Sequence, residues 1–264
     1  MKKIVCWFSC GAPSAVAAKL AIAEVGHENL QVVYQDTGSE HSDNKRFLSD
    51  VEDWLQHEVI IIRSDKYADI WEVFQKERYL CGVAGARCTS ELKRKVAERF
   101  LNLPNGETEV LGYSIEERGR VARFIENNPE RTLWPILIER NLNKGDCLGI
   151  LASAKIEIPK MYKMGYRNNN CIGCVKGGAG YWNKIRVDFP EVFARMAAQE
   201  RDLNVAINKR YDGPKRIRVF LDELDPNAGN YRSEPSISCG LFCQIENDRL
   251  LTPKKPVRQK AAGE

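Results

Sequence analysis

Short apolar runs alternate with longer stretches of helical period over most of this chain. Ile4, Val5, Cys6, Trp7 and Phe8 form a continuous apolar run after Lys3, which predicts a central parallel strand buried on both faces. It leads into Ser9-Cys10-Gly11-Ala12-Pro13-Ser14 and then into the alanine-rich stretch 15–21, a strong helix former. Further strands are predicted over residues 30–34, 59–62, 109–113 and 133–138, the last with Pro135 as the mark of an edge or a strand start. Between them, 42–54 reads as a helix with Phe47, Leu48, Val51 and Leu55 on one face, and 67–76 as a helix with Ile70, Trp71 and Phe74 inward. Ser90 is the expected cap of a helix over 91–100. Asn143 or Lys144 opens a helix through Ala154 with Cys147 in the core. Asp188-Phe189-Pro190-Glu191 has the capping-box arrangement that opens a helix to about Asn204. Strands alternating with helices predict an α/β fold, a mostly parallel sheet flanked by helices.

Composition changes past Tyr211, where Pro, Gly, Asn and charge dominate. The expected organisation is an α/β domain over 1–210, a cysteine-bearing C-terminal extension over 211–252, and a disordered basic tail over 253–264. No stretch approaches the twenty apolar residues that a membrane helix needs, and the start of the chain turns polar too soon for a signal peptide. The expectation is a cytoplasmic protein without a membrane partner, whose nine cysteines are reduced or metal-bound. Net charge is +4, and the last twelve residues supply +3 of it (Lys254, Lys255, Arg258 and Lys260 against Glu264). The body is then about +1 (4 minus 3), which does not single out a nucleic-acid binder but leaves room for a local anion pocket.

Candidate chemistry clusters in four places. The loop 9–14 between strand and helix is the geometry that holds phosphate or sulfate: free amides at the positive end of a helix dipole, with hydroxyls from Ser9 and Ser14. Asp36, with Thr37 and Gly38, follows the second strand and is placed for a ribose hydroxyl or an adenine edge. Lys93, Arg94 and Lys95 read either as a solvated helix face or as an anion clamp, and Arg118 and Arg120 follow the fourth strand, where guanidinium groups reach anions bidentately. Cys81 and Cys88 lie in a Gly/Ala-rich loop, and Cys171 and Cys174 form a C-x-x-C pair. Together they read first as four thiolate ligands to one metal centre, an iron–sulfur cluster ahead of zinc. A redox C-x-x-C and a plain buried thiol at Cys81 are the alternatives. The glycine-rich stretch 176–180 reads as flexible and as a further anion holder.

The order of these features resembles the sulfonucleotide (PAPS and APS) reductases of the PP-loop, adenine-nucleotide α-hydrolase-like superfamily. The resemblance runs over about residues 3 to 175, with an echo at 238–243. Ser9 to Val16 looks like the reductase loop, Asp36-Thr37-Gly38 like the family's Asp-Thr-Gly segment, and Gly112 to Arg120 like its arginine-bearing segment. Pro159, Tyr162 and Gly165-Tyr166 look like the lead into its second cysteine pair. ATP-pyrophosphatase members carry an Asp where this chain has Pro13, which cannot bind metal and favours the reductases. The resemblance implies a nucleotide site over Ser9, Gly11, Ala12, Ser14, Asp36, Thr37, Gly38, Lys93, Arg118 and Arg120. It also implies a 4Fe–4S cluster on Cys81, Cys88, Cys171 and Cys174. Cys239, in Ser238-Cys239-Gly240-Leu241-Phe242, would be the nucleophile, although the family's flanking Glu and His are absent and Cys243 is extra. An adenine nucleotide (PAPS, APS or ATP-like) and a thioredoxin- or glutaredoxin-type reductant are the implied partners, and homo-oligomerisation stays open. Two alternatives stand beside this reading: an iron–sulfur sulfurtransferase that modifies tRNA or DNA, and a nucleotide-binding protein without catalysis.

Overall fold

Five strands form the centre of the structure: β1 (Ile4–Phe8), β2 (Leu30–Gln35), β3 (Val59–Ile62), β4 (Thr108–Leu111) and β5 (Thr132–Trp134). The computed structural model describes residues 4–82, 85–101 and 106–237. The sheet order is β3-β2-β1-β4-β5 and every pairing is parallel, with Ile4 opposite both Leu30 and Thr108. The fold is α/β, as the alternating pattern predicted. Val5, Cys6, Trp7 and Phe8 are all buried, which is why β1 needs an unbroken apolar run. Their side chains alternate between faces. Cys6 and Phe8 enter a core built with helices α1 (Ala12–Val25) and α2 (Asn44–Leu55). Val5 and Trp7 enter a second core on the opposite side.

The helices that follow are α3 (Ile70–Glu77), α4 (87–101), α5 (Arg118–Asn127), α6 (Lys144–Ser153), α7 (Ala179–Asp188) and α8 (Pro190–Leu203). Asp69 caps α3 by accepting from the Glu72 amide, and Asn143 and Asp146 close a reciprocal capping box on α6. α4 is continuous but uneven: a turn Arg87–Thr89, a π-helical turn Ser90–Arg94, then regular helix Lys95–Leu101. A third core, rich in aromatics, joins α3, α7 and α8 to the segment around Tyr166 and to Leu221 and Leu224. A hairpin, β6 (Asn208–Asp212) with β7 (Lys215–Val219), crosses position 211, and residues beyond it pack back on that core.

Four local expectations are corrected. The strand expected over 133–138 pairs only through Trp134: Pro135 has no N–H to offer the ladder, and Ile136–Glu139 turns into a short helix. Ser90 does not cap a helix. It is buried inside α4, where its Oγ accepts from Arg94 at 3.0 Å, and the helix begins at Arg87. Asp188 does not cap α8 but pairs with Lys184 at 2.8 Å. The glycine-rich stretch 176–180 leads into α7, whose first residues are Ala179 and Gly180 behind the cap Gly178, and the Gly180 and Tyr181 amides donate to the Glu234 carboxylate at 2.6 and 3.0 Å. The predicted tail 253–264 lies outside the described residues.

Two buried carboxylates tie distant segments together. Glu109 on β4 accepts from Trp7 Nε1 at 2.7 Å and, bidentately, from Arg131 at 2.6 Å, with both charged side chains almost fully buried. Glu200 on α8 is fully buried and accepts the amides of Ile207 and Leu221, each at 2.6 Å. Those two amides lie on either side of the hairpin, so one carboxylate fixes both of its ends. Burial pushes the Glu200 carboxyl up to about 7, against the two amide bonds that favour its charge.

Arg131→Ala should lower folding stability by about 3–5 kcal/mol in urea titration, because it strands Glu109 as an unpaired buried charge. A loss within error of zero would refute the pairing. The raised value of Glu200 sets a second expectation. Its contribution is full below the unfolded value of 4.5 and is lost as pH rises through about 7. Across that window the wild type should lose about 3 kcal/mol relative to Glu200→Gln, measured as the pH dependence of the difference between their urea midpoints.

Candidate functional site

The chain passes from β1 outward to β3 before returning to β1's other side as β4, so the direction of winding reverses between β1 and β4. Loops leaving the carboxyl ends of strands at such a point diverge and leave a crevice. Here the crevice is a cleft of about 800 Å³, lined at the strand ends by Phe8, Gln35 and Leu111.

The floor of the cleft is the loop 9–14. Ser14 Oγ accepts from the Ser9 amide at 3.1 Å, donates to the Gly11 carbonyl at 2.9 Å, and stands 3.1 Å from Ser9 Oγ. Between them Cys10 is fully buried and left-handed, at φ +52°, an uncommon conformation for a side chain other than glycine. Its carbonyl accepts from Asn169 Nδ2 at 2.7 Å, and the same nitrogen lies 2.7 Å from Asn44 Oδ1. Asn169 thus joins the loop, the start of α2 and the segment that leads to Cys171. Gly112, just after β4, lies against the same loop: a Cβ there would stand 2.6 Å from the Ser14 nitrogen. The Tyr162 hydroxyl lies above Gly11, where a Cβ would meet it at 3.1 Å. Burial pushes that hydroxyl up to about 12, partly offset by the Ala12 amide. That hydroxyl is therefore neutral where it faces the start of α1.

Cationic groups face this floor. Lys93, Arg120, Lys144 and Arg167 all line the cleft. Arg120 stacks on the Tyr113 ring at 4.6 Å and pairs with Glu117. Lys144 lies 4.9 Å over the Tyr162 ring and donates to Asn168 Oδ1 at 3.0 Å, and burial lowers its pKa. Arg167 reaches back to the carbonyls of Arg232 and Glu234, and its amide donates to the Tyr231 hydroxyl at 2.9 Å. Through these bonds and those from Asn168 and Asn170 to the Ile237 carbonyl, at 2.9 and 3.0 Å, Ser236 and Ile237 come to lie on the cleft wall.

Of the residues expected from sequence, Ser9, Gly11, Ser14, Lys93 and Arg120 meet at the cleft, and Ala12 contributes its amide below them. Arg118 is exposed and does not line the cleft. Asp36 is off the wall as well: it pairs with Arg63 and accepts the Gly38 amide at 2.8 Å. Gly38, at φ +66°, is needed for that turn, since a Cβ would fall 2.2 Å from the Ala68 carbonyl oxygen. Thr37 is buried with Oγ1 3.1 Å from Cys171 Sγ, so the 36–38 turn supports the second cysteine pair. Lys144, Tyr162 and Arg167 were not singled out as site residues. They enter from helices and loops beyond the sheet, and no local spacing announces them.

Cys81, Cys88, Cys171 and Cys174 are all unbridged and all belong to, or pack on, the aromatic core. Cys81 Sγ donates to the Val175 carbonyl at 3.4 Å, next to Cys174, and burial pushes its thiol up to about 11. The four thiols reach one core from two distant segments of the chain. Among the described residues, however, no three His, Cys, Asp or Glu side chains are grouped to hold a single metal ion. Cys147 is buried in the core, as expected, while Cys239 lies outside the described residues.

No protein-family model matches the chain, and no curated protein sequence does. Among solved structures, it is similar to phosphoadenylyl-sulfate (PAPS) reductase from Candida auris in its phosphate complex, at 10% identity and a TM-score of 0.49 over 65% of this chain and 82% of that one.

Two substitutions test how the loop is held. Asn169→Ala should lower stability by about 1–3 kcal/mol in urea titration, because it leaves the buried Cys10 carbonyl without a donor. Gly112→Ala should cost a similar 1–3 kcal/mol by overpacking, and should also weaken inorganic phosphate binding by displacing Ser14. Unchanged phosphate affinity in a folded Gly112→Ala protein would show that the loop does not bind the anion.

Proposed function

We propose that this protein is a sulfonucleotide reductase-like enzyme, which binds an adenine phosphosulfate in the cleft and cleaves it reductively. One observation carries the reading: an anion-ready loop at a strand-order reversal faces four cationic side chains, and the chain leaves the described region from the wall of that same cleft. Ile237, on the wall, stands two residues ahead of Cys239.

In this reading the loop amides and the hydroxyls of Ser9 and Ser14 bind the phosphate oxygens. Lys93 and Arg120 neutralise the sulfate end, and Lys144 and Arg167 add positive potential that favours a thiolate over a thiol. The Cys239 thiolate attacks the sulfur. An S–S bond forms, the S–O bond to phosphate breaks, and the nucleotide departs with that oxygen. A dithiol of the thioredoxin or glutaredoxin class then attacks the cysteine sulfur, ends as a disulfide and releases sulfite. An iron–sulfur cluster, or zinc, is a separate proposal for Cys81, Cys88, Cys171 and Cys174, supported by their common core. Such a group would tie the 81–88 segment to the 171–174 segment, and none of the steps above passes through it.

Sulfite release from PAPS and from APS, with reduced thioredoxin, tests the activity. The expected result is turnover with one of them, abolished in Cys239→Ser while nucleotide binding persists. Arg120→Ala should weaken that binding by about ten-fold, the worth of one charge-assisted contact. No sulfite from either substrate would overturn the assignment. Iron and acid-labile sulfide on anaerobically purified protein test the cluster separately. About four irons per chain, lost in Cys171→Ser, are expected, and their absence removes the cluster.

A further inference from the structure

The β6–β7 hairpin is the most one-sided charged feature among the described residues. Lys209, Arg210, Lys215, Arg216 and Arg218 stand against Asp212 alone, a net +4 (5 minus 1) in twelve residues. The whole chain carries +4, so outside the tail this hairpin is where the positive charge is concentrated. All five cations are exposed, and no ion pair is found for any of them among the described residues.

Strand pairing sorts these side chains by face. Tyr211 lies opposite Arg216, and Lys209 opposite Arg218, so these four share one face. The Lys209 ammonium stands 5.8 Å from the Tyr211 ring centroid on that face. Tyr211 is 65% exposed, unusual for so large a ring. The opposite face carries Arg210, Ile217, Asp212 and Lys215, with the one acidic group. Lys209 directly opposite Arg218 is a like-charge pair, which costs a hairpin stability unless an anion lies between them.

The hairpin is also firmly made. Gly213, at φ +58°, is followed by Pro214, whose ring fixes a negative φ. This is the II′ pattern that suits a two-residue hairpin loop. Glu200 holds both ends, and Arg218 donates to the Ala206 carbonyl at 3.3 Å. The structure therefore presents a preset platform: three cations around one exposed aromatic ring.

We infer that the Lys209–Tyr211–Arg216–Arg218 face of this hairpin binds single-stranded nucleic acid. The cations meet successive phosphates, and the Tyr211 ring stacks on a base, the combination that recognises a single strand without reading its sequence. A duplex offers phosphates but no free base face, so the exposed ring favours the single strand. The surface is separate from the cleft, and the inference does not depend on what the cleft binds.

Fluorescence anisotropy of a labelled mixed-sequence single strand, titrated with the full-length protein at several salt concentrations, tests it. Tyr211→Ala should weaken binding by about five-fold or more. Lys209→Ala with Arg216→Ala should reduce the slope of log affinity against log salt by about 1.4, two phosphate contacts at 0.7 each. Arg210→Ala with Lys215→Ala removes the same charge from the opposite face and should leave the Tyr211 contribution intact. The basic tail is present in every variant, so the differences report the hairpin alone, and circular dichroism checks that each variant is folded. Equal losses from the two double variants, or no effect of Tyr211→Ala, would overturn the assignment. So would tighter binding to the matching duplex than to the single strand.

Discussion

A single amide, Asn169 Nδ2, lies between the Cys10 carbonyl and Asn44 Oδ1, and the cleft depends on it. Cys10 occupies a left-handed conformation that costs a residue with a Cβ about 1 kcal/mol or more. Strain of that kind persists only where the surroundings over-determine it. Asn169 supplies a hydrogen bond from one side, and burial of the Cys10 side chain in the core beneath β1 supplies packing from the other. The same amide fixes where the chain enters the C-x-x-C segment. Loop, second helix and second cysteine pair are therefore positioned as one unit, although the cysteine pair lies more than a hundred residues further along the chain than the other two.

Elsewhere the structure repeats this use of one buried polar group to register distant segments. Glu109 ties Trp7 of the central strand to Arg131 at the sheet's edge. Glu200 ties both ends of the hairpin to α8. Glu234 closes the start of α7 with its carboxylate, and Arg167 holds the carbonyls that flank it. The first two bury a carboxylate, an expensive choice that apolar packing could replace in pure stability terms. What an apolar replacement lacks is direction. Hydrogen bonds specify an angle and a partner, and here they set the position of the segment 231–237 that runs along the cleft.

The sheet was legible because its four inner and flanking strands are short apolar runs, and the loop 9–14 was legible because small residues between strand and helix have few other uses. The remainder required three dimensions. The stretch 176–180 looked flexible, yet it leads into α7, and Gly180 is small because a Cβ there would lie 2.4 Å from the Tyr231 nitrogen, a contact fixed by tertiary packing. The hairpin carries almost no apolar alternation, so period gave no strand signal. Arg118 and Arg120 looked equivalent in sequence. The turn of α5 that brings Arg120 onto Tyr113 leaves Arg118 in solvent. Asp36 had the position of a ligand-binding carboxylate, but Arg63 at the end of β3 claims it.

The π-helical turn in α4 has its own consequence. It holds one residue more than an α-turn would, and within it the Lys93 carbonyl accepts from Gln35 Nε2 at 2.8 Å while the Lys93 side chain faces the cleft. Each residue advances an α-helix by about 100°. Excising one residue from this turn would therefore rewind the first segment of α4 against the second. Lys93 and the regular helix behind it could no longer both keep their present directions. The turn acts as a phase adjuster: it lets one helix obey the packing of the sheet at its far end and the geometry of the cleft at its near end, two periodicities that an uninterrupted helix could not satisfy together.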